Sequence, residues 1–123
     1  MKIRCPLLLI VCAFASSALA QSLFVSTRYS NQLAVIDTST NQIVAQIPVG
    51  AFPIRMTMTL DRLKVFVSDA QSASISVVDT VAHTNIATIP VSRVPGESAI
   101  TPDGGRPFVV HETGFHHSCP VDV

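Results

Sequence analysis

The sequence has no basic run: eight lysines and arginines balance eight aspartates and glutamates along 123 residues, with formal net charge zero. The electrostatic footprint that phosphate-backbone binding needs is therefore missing, which excludes nucleic acid as a partner. No segment reaches the ~20 consecutive apolar residues a membrane-spanning helix requires. A glycine-rich phosphate loop, a Gly-x-Ser-x-Gly nucleophile turn and a Cys-x-x-Cys-His haem attachment are all absent. Of the three cysteines, Cys5 and Cys12 lie in the first twenty residues, so only Cys119 is left for the rest of the chain and no internal disulfide framework is possible there.

Those first twenty residues have the make-up of a secretory signal peptide. Lys2 and Arg4 are charged, Leu7 to Ala15 is apolar, and Ala18-Leu19-Ala20 offers a small-residue cleavage site before Gln21. Cys12 belongs to this signal, since Val11 is too bulky for a lipoprotein site. The expected organisation is a signal peptide over 1–20, a repeat domain over 21–112 and a tail over 113–123 without regular structure. The expected compartment is the periplasm, or the extracellular medium as the alternative.

What is present is an internal repeat. Shifting the chain so that Phe24-Val25-Ser26 meets Phe66-Val67-Ser68 also aligns Val35-Ile36-Asp37-Thr38 with Val77-Val78-Asp79-Thr80, and Ile47-Pro48-Val49 with Ile89-Pro90-Val91. The period is about 42 residues, within the range of known structural repeats. Residues 23–64 and 65–106 share 14 identities in 42 ungapped positions, where chance gives roughly 2 or 3. A third copy begins at Phe108-Val109 and fades after Glu112.

Within each copy, short apolar runs rich in Val, Ile, Thr and Phe are separated by Ser, Asn, Asp, Gly and Pro, the spacing of strands and tight turns. Nine strands are predicted, near 23–27, 33–37, 43–49, 54–59, 64–68, 75–79, 86–91, 97–101 and 106–111. Met56 and Met58 alternate with Thr57, and Ile75 and Val77 with Ser74 and Ser76, a period of two that buries one face and exposes the other. On that pattern the two methionines belong to the core. Asp37 and Asp79 close strands where a carboxylate can accept from amides two residues on. Thr101-Pro102-Asp103-Gly104 is a hairpin signal whose counterpart, Thr59-Leu60-Asp61-Arg62, lacks both Pro and Gly. Pro48 and Pro90 remove a ladder donor and place their strands at sheet edges.

Four strands in each copy of the repeat predict an all-β fold of four-stranded antiparallel propeller blades. The motifs Phe66-Val67-Ser68-Asp69, Val77-Val78-Asp79-Thr80, Thr88-Ile89-Pro90-Val91-Ser92 and Thr101-Pro102-Asp103-Gly104 resemble the YVTN β-propeller repeats of exported bacterial and archaeal proteins. The resemblance implies that the segment after Pro53 and after Pro95 is an innermost, channel-lining strand. The chain then holds three outer strands of one blade, one whole blade and two inner strands of another. These two and a half repeats fall short of the four to eight blades of a closed ring. A truncated remnant, a ring assembled from several chains and an open arc stay open as accounts.

The clustered ligating residues are His111, Glu112, His116, His117 and Cys119. Their spacing misses the zinc-protease pattern of two histidines one helical turn apart, and solvated tail histidines are the expectation. His83, in the polar stretch Ala82-His83-Thr84-Asn85, is expected to be an exposed turn residue. Arg55 and Glu97 occupy equivalent inner-strand positions facing the channel, with no catalytic partner in the sequence. No catalytic, cofactor-binding or metal-binding residue is assigned and no cofactor is expected. The functional expectation is a non-catalytic exported repeat protein that meets a protein partner, or copies of itself, through open blade edges. The alternative is a fragment or subunit of a periplasmic propeller enzyme, associated with a quinoprotein dehydrogenase or lactonase-like.

Overall fold

A computed structural model of the chain describes residues 21–111 and 119–120. Residues 1–20, read above as a signal peptide, and Glu112, His116 and His117 lie outside the described residues. The strands run in order: β1 (Ser22–Thr27), β2 (Gln32–Asp37), β3 (Gln42–Pro48), β4 (Pro53–Met58), β5 (Lys64–Asp69), β6 (Ser74–Asp79), β7 (Thr84–Pro90), β8 (Pro95–Ile100), β9 (Pro107–His111) and β10 (Cys119–Pro120). They form three antiparallel sheets, β1-β2-β3, β4-β5-β6-β7 and β8-β9-β10. The blade phase read from the sequence is the one observed. β3 and β7, which end in Pro48 and Pro90, are edge strands, where a missing N–H breaks no ladder. In the tail, Cys119 and Pro120 pair with Val109 and Phe108.

The repeat extends to the backbone. A register shift between Val35 and Ile36 recurs between Val77 and Val78. Positive φ occurs at Asn31 and Ala73, at Asn41 and His83, and at Arg62 and Gly104, the members of each pair lying one repeat apart. The turn carboxylates act as expected. Asp37 Oδ1 accepts from Ser39 N at 2.7 Å, and Asp79 Oδ1 accepts from Val81 N and Ala82 N at 2.8 Å.

Two apolar layers hold the sheets face to face. The first joins Phe24, Leu33, Val35 and Ile47 of the first blade to Val65, Val67 and Val78 of the second. The other joins Phe66, Ile75 and Val77 of the second blade to Val109 of the third. Burying each such side chain contributes about 1.5–3 kcal/mol. Because the middle sheet is covered on both sides, its alternation does not separate core from solvent. Ser74 and Ser76, expected on an exposed face, are 4% and 0% exposed.

Candidate functional site

The innermost strands β4 and β8 lie side by side, joined where Thr57 Oγ1 meets both the carbonyl and the Oγ of Ser98 at 2.8 Å. Arg55 and Glu97 are exposed on these strands and line one cleft of about 190 Å³. Arg55 also reaches a larger cleft of about 500 Å³ with Arg28, Phe52, Ile54, Ala70 and Val94. Four connections between strands build it together with β4, so its residues come from both the first and second blades and from the link to the third. The Arg28 guanidinium lies 4.8 Å from the centre of the Phe52 ring, and Tyr29 packs edge-on to the same ring at 6.3 Å.

Phe52 takes φ 60°, in the left-handed region that bulky residues avoid, and it does so directly before Pro53, where extended backbone is favoured. Hydrogen bonds hold it there. Its N–H donates to Asn31 Oδ1 at 2.9 Å, and its carbonyl accepts from Ala70 N at 3.0 Å. The counterpart of Phe52 one repeat on is Val94, which has no positive φ, and the counterpart of Asn31 is Ala73, which has no side-chain acceptor.

Beneath this connection Asp69 is fully buried. Burial pushes its carboxyl above the ordinary carboxylate range, and a 2.6 Å hydrogen bond from Ser76 Oγ opposes that rise. Its Oδ1 has no hydrogen-bond partner among the described residues. Ser76 Oγ also accepts from Gly50 N at 3.1 Å, and Ser72 Oγ accepts from Ala51 N at 3.0 Å, so this polar cluster ties the first-to-second blade connection to β5 and β6.

Among the described residues, the first blade has no strand on its inner side. In the second blade β4 pairs with the inner edge of β5, but β1, the counterpart of β5, pairs only with β2 among the described strands. Met56 and Met58 pair with Val67 and Val65 and so face the first blade, next to that open edge. They are 37% and 40% exposed rather than core residues, which corrects the period-two assignment. Leu23 on β1 is exposed as well.

His83 is half-buried, with its ring edge-on to Phe24 at 6.4 Å, so it is a packing residue between the first two blades and not simply an exposed turn residue. His111 and Cys119 enter β9 and β10 by their backbones, and no metal-ligating cluster occurs among the described residues. Sequence reasoning missed Arg28, Asn31, Phe52 and Asp69. The available signal was the break in the repeat, since one repeat on Arg28 meets Ala70, Asn31 meets Ala73 and Phe52 meets Val94.

No family model matches the chain. No curated protein matches it either. Solved structures do. Hydrazine synthase of Kuenenia stuttgartiensis superposes with a TM-score of 0.75 at 26% identity, over 82% of this chain and 29% of that one. The dihydro-heme d1 dehydrogenase NirN superposes at 0.74 with 12% identity, over 84% and 22% of the two chains. A structure described as a putative 6-phosphogluconolactonase of Bacteroides uniformis gives 0.65 at 12%, over 80% and 32%. The chain thus spans about a third or less of the length of these structures. Its sheets are β-propeller blades, and the described residues form an open arc of them.

Proposed function

We propose that the chain is a non-catalytic, exported repeat protein of the YVTN type that works in the periplasm by associating with protein through its open blades. The observation that carries this reading is the inner edge of β1, unpaired among the described residues, beside Met56 and Met58. An unpaired strand edge is a template for a further strand, with main-chain hydrogen bonds supplying affinity and the adjoining apolar side chains selectivity. Two charges placed there would oppose that addition. The mass of the purified chain in solution tests the proposal. A discrete assembly is expected for the native sequence and a monomer for the double variant Met56→Lys with Met58→Lys. A native chain that stays monomeric and binds no strand peptide would overturn it.

A second reading, that the chain is part of a propeller enzyme, draws support from the neighbours described as a synthase, a dehydrogenase and a lactonase. Lactone hydrolysis or quinone-dependent dehydrogenation by the purified chain would favour that reading. Neither is expected.

A further inference from the structure

We propose that the 500 Å³ cleft bounded by Arg28, Phe52 and Arg55 is a binding site for a small carboxylate with an apolar body. Two arginines line it and, among the described residues, no acidic residue does; Glu97 shares only the smaller neighbouring cleft with Arg55. The planar fork of an arginine matches a carboxylate in two parallel hydrogen bonds. Phe52, Ile54, Ala70 and Val94 supply apolar walls for the remainder of the ligand. Phosphate fits less well. Its sites usually draw on free backbone amides, and here the amides of Phe52, Ala70 and Gln71 already donate to Asn31 Oδ1, Phe52 O and Ala51 O.

The conformation of Phe52 is the independent observation. Among the described residues every other positive-φ position has a counterpart one repeat away, and Phe52 has none. A strained residue held by its surroundings is a recurrent mark of a ligand clamp. The Asn31 carboxamide holds this one, which places the ring under the Arg28 guanidinium. Asn31 is accordingly a positioning residue.

Tyr29 makes the test direct, because the chain has one tyrosine and no tryptophan, and that tyrosine packs on Phe52. Its emission is followed while the purified chain is titrated with cyclohexanecarboxylate, with the neutral cyclohexanecarboxamide, or with inorganic phosphate. A saturable change with the carboxylate alone is expected. Arg28→Gln and Arg55→Gln should each weaken it about tenfold, the worth of a charge-assisted hydrogen bond. Arg106→Gln, in the β8–β9 turn, should leave it unchanged. Asn31→Ala should abolish the response and Asn31→Asp, which keeps the acceptor for Phe52 N–H, should restore it. An equal response to the amide, tighter binding of phosphate, or full affinity in both arginine variants would overturn the assignment. The titration reads a ligand and not a mass, so its outcome is separate from that of the association proposal.

Discussion

A buried carboxyl with a raised pKa holds its proton more tightly in the folded chain than in the unfolded one, so folding at Asp69 is favoured by acid and penalised as the group ionises. The sign follows from linkage: stability falls as pH rises from the ordinary value of 3.8 through the raised folded value. Asp37, Asp61, Asp79 and Asp103 act in the opposite sense. Hydrogen bonds from their turns lower their pKa values, chiefly from Ser39 to Asp37, Thr59 to Asp61, Ala82 to Asp79 and Thr101 to Asp103. Their contribution is present above 3.8 and is lost as pH falls below it. Asp69→Asn keeps an acceptor for Ser76 and removes the ionisation. It should stabilise the chain at neutral pH by on the order of 1 kcal/mol and flatten the decline of Tm above pH 4, while leaving acid unfolding in place. An unchanged Tm against pH profile, followed by circular dichroism, would show that Asp69 is not its source. Gly50 is constrained by the same cluster. A Cβ there would lie 2.5 Å from Asp69 Oδ2 and from Ser72 Oγ and 2.6 Å from Asp69 Cβ. Gly50→Ala should therefore lower the urea midpoint by an amount equal to about 1–3 kcal/mol, the usual range for overpacking.

At the scale of turns and strands, the β4–β5 turn shows what survives when a motif loses its best residues. Thr59-Leu60-Asp61-Arg62 has neither the Pro nor the Gly of Thr101-Pro102-Asp103-Gly104, yet both turns have the same bonds. Asp61 Oδ1 accepts from Thr59 Oγ1 at 2.5 Å and from Leu63 N at 2.9 Å, as Asp103 Oδ1 accepts from Thr101 Oγ1 and from Gly105 N. Arg62 takes φ 62° where Gly104 takes 72°. A side chain in the left-handed region costs about 1–2 kcal/mol, so Arg62→Gly should raise the thermal midpoint despite the flexibility glycine adds to the unfolded chain; a lowered midpoint would show that the second term prevails. Strand order, turn carboxylates and edge prolines were legible from residue type and spacing, because each depends on a few neighbouring residues. The burial of Ser76 and the exposure of Met56 were not. Alternation tells which residues share a face, and whether that face is covered depends on the sheet beside it.

Across the whole molecule, the three sheets differ in cover. The middle blade has a neighbour on each face, and β5 and β6 are buried along nearly their full length. The first and third blades each present one face without a partner sheet among the described residues, with Leu23 exposed on one and Phe108 and Val110 on the other. Opening free energies should follow that gradient. Hydrogen exchange should be slowest in β5 and β6 and faster in β1 and β9; equal protection of all three sheets would mean that a partner covers the outer faces in solution. The carboxylate cleft belongs to this scale too. Arg28, Phe52, Arg55 and Val94 come from separate stretches of chain and meet only once the blades stack, which is why no local motif announced it.

The matched left-handed positions, recurring one repeat apart at Asn31 and Ala73, at Asn41 and His83, and at Arg62 and Gly104, make the chain modular in its length. A duplicated stretch of one full period would bring each such residue back to a corner and each β-branched residue back to a strand. A segment of any other length would set strand residues at corners and shift every face that follows. Growth of this molecule by insertion is therefore quantised, one blade at a time.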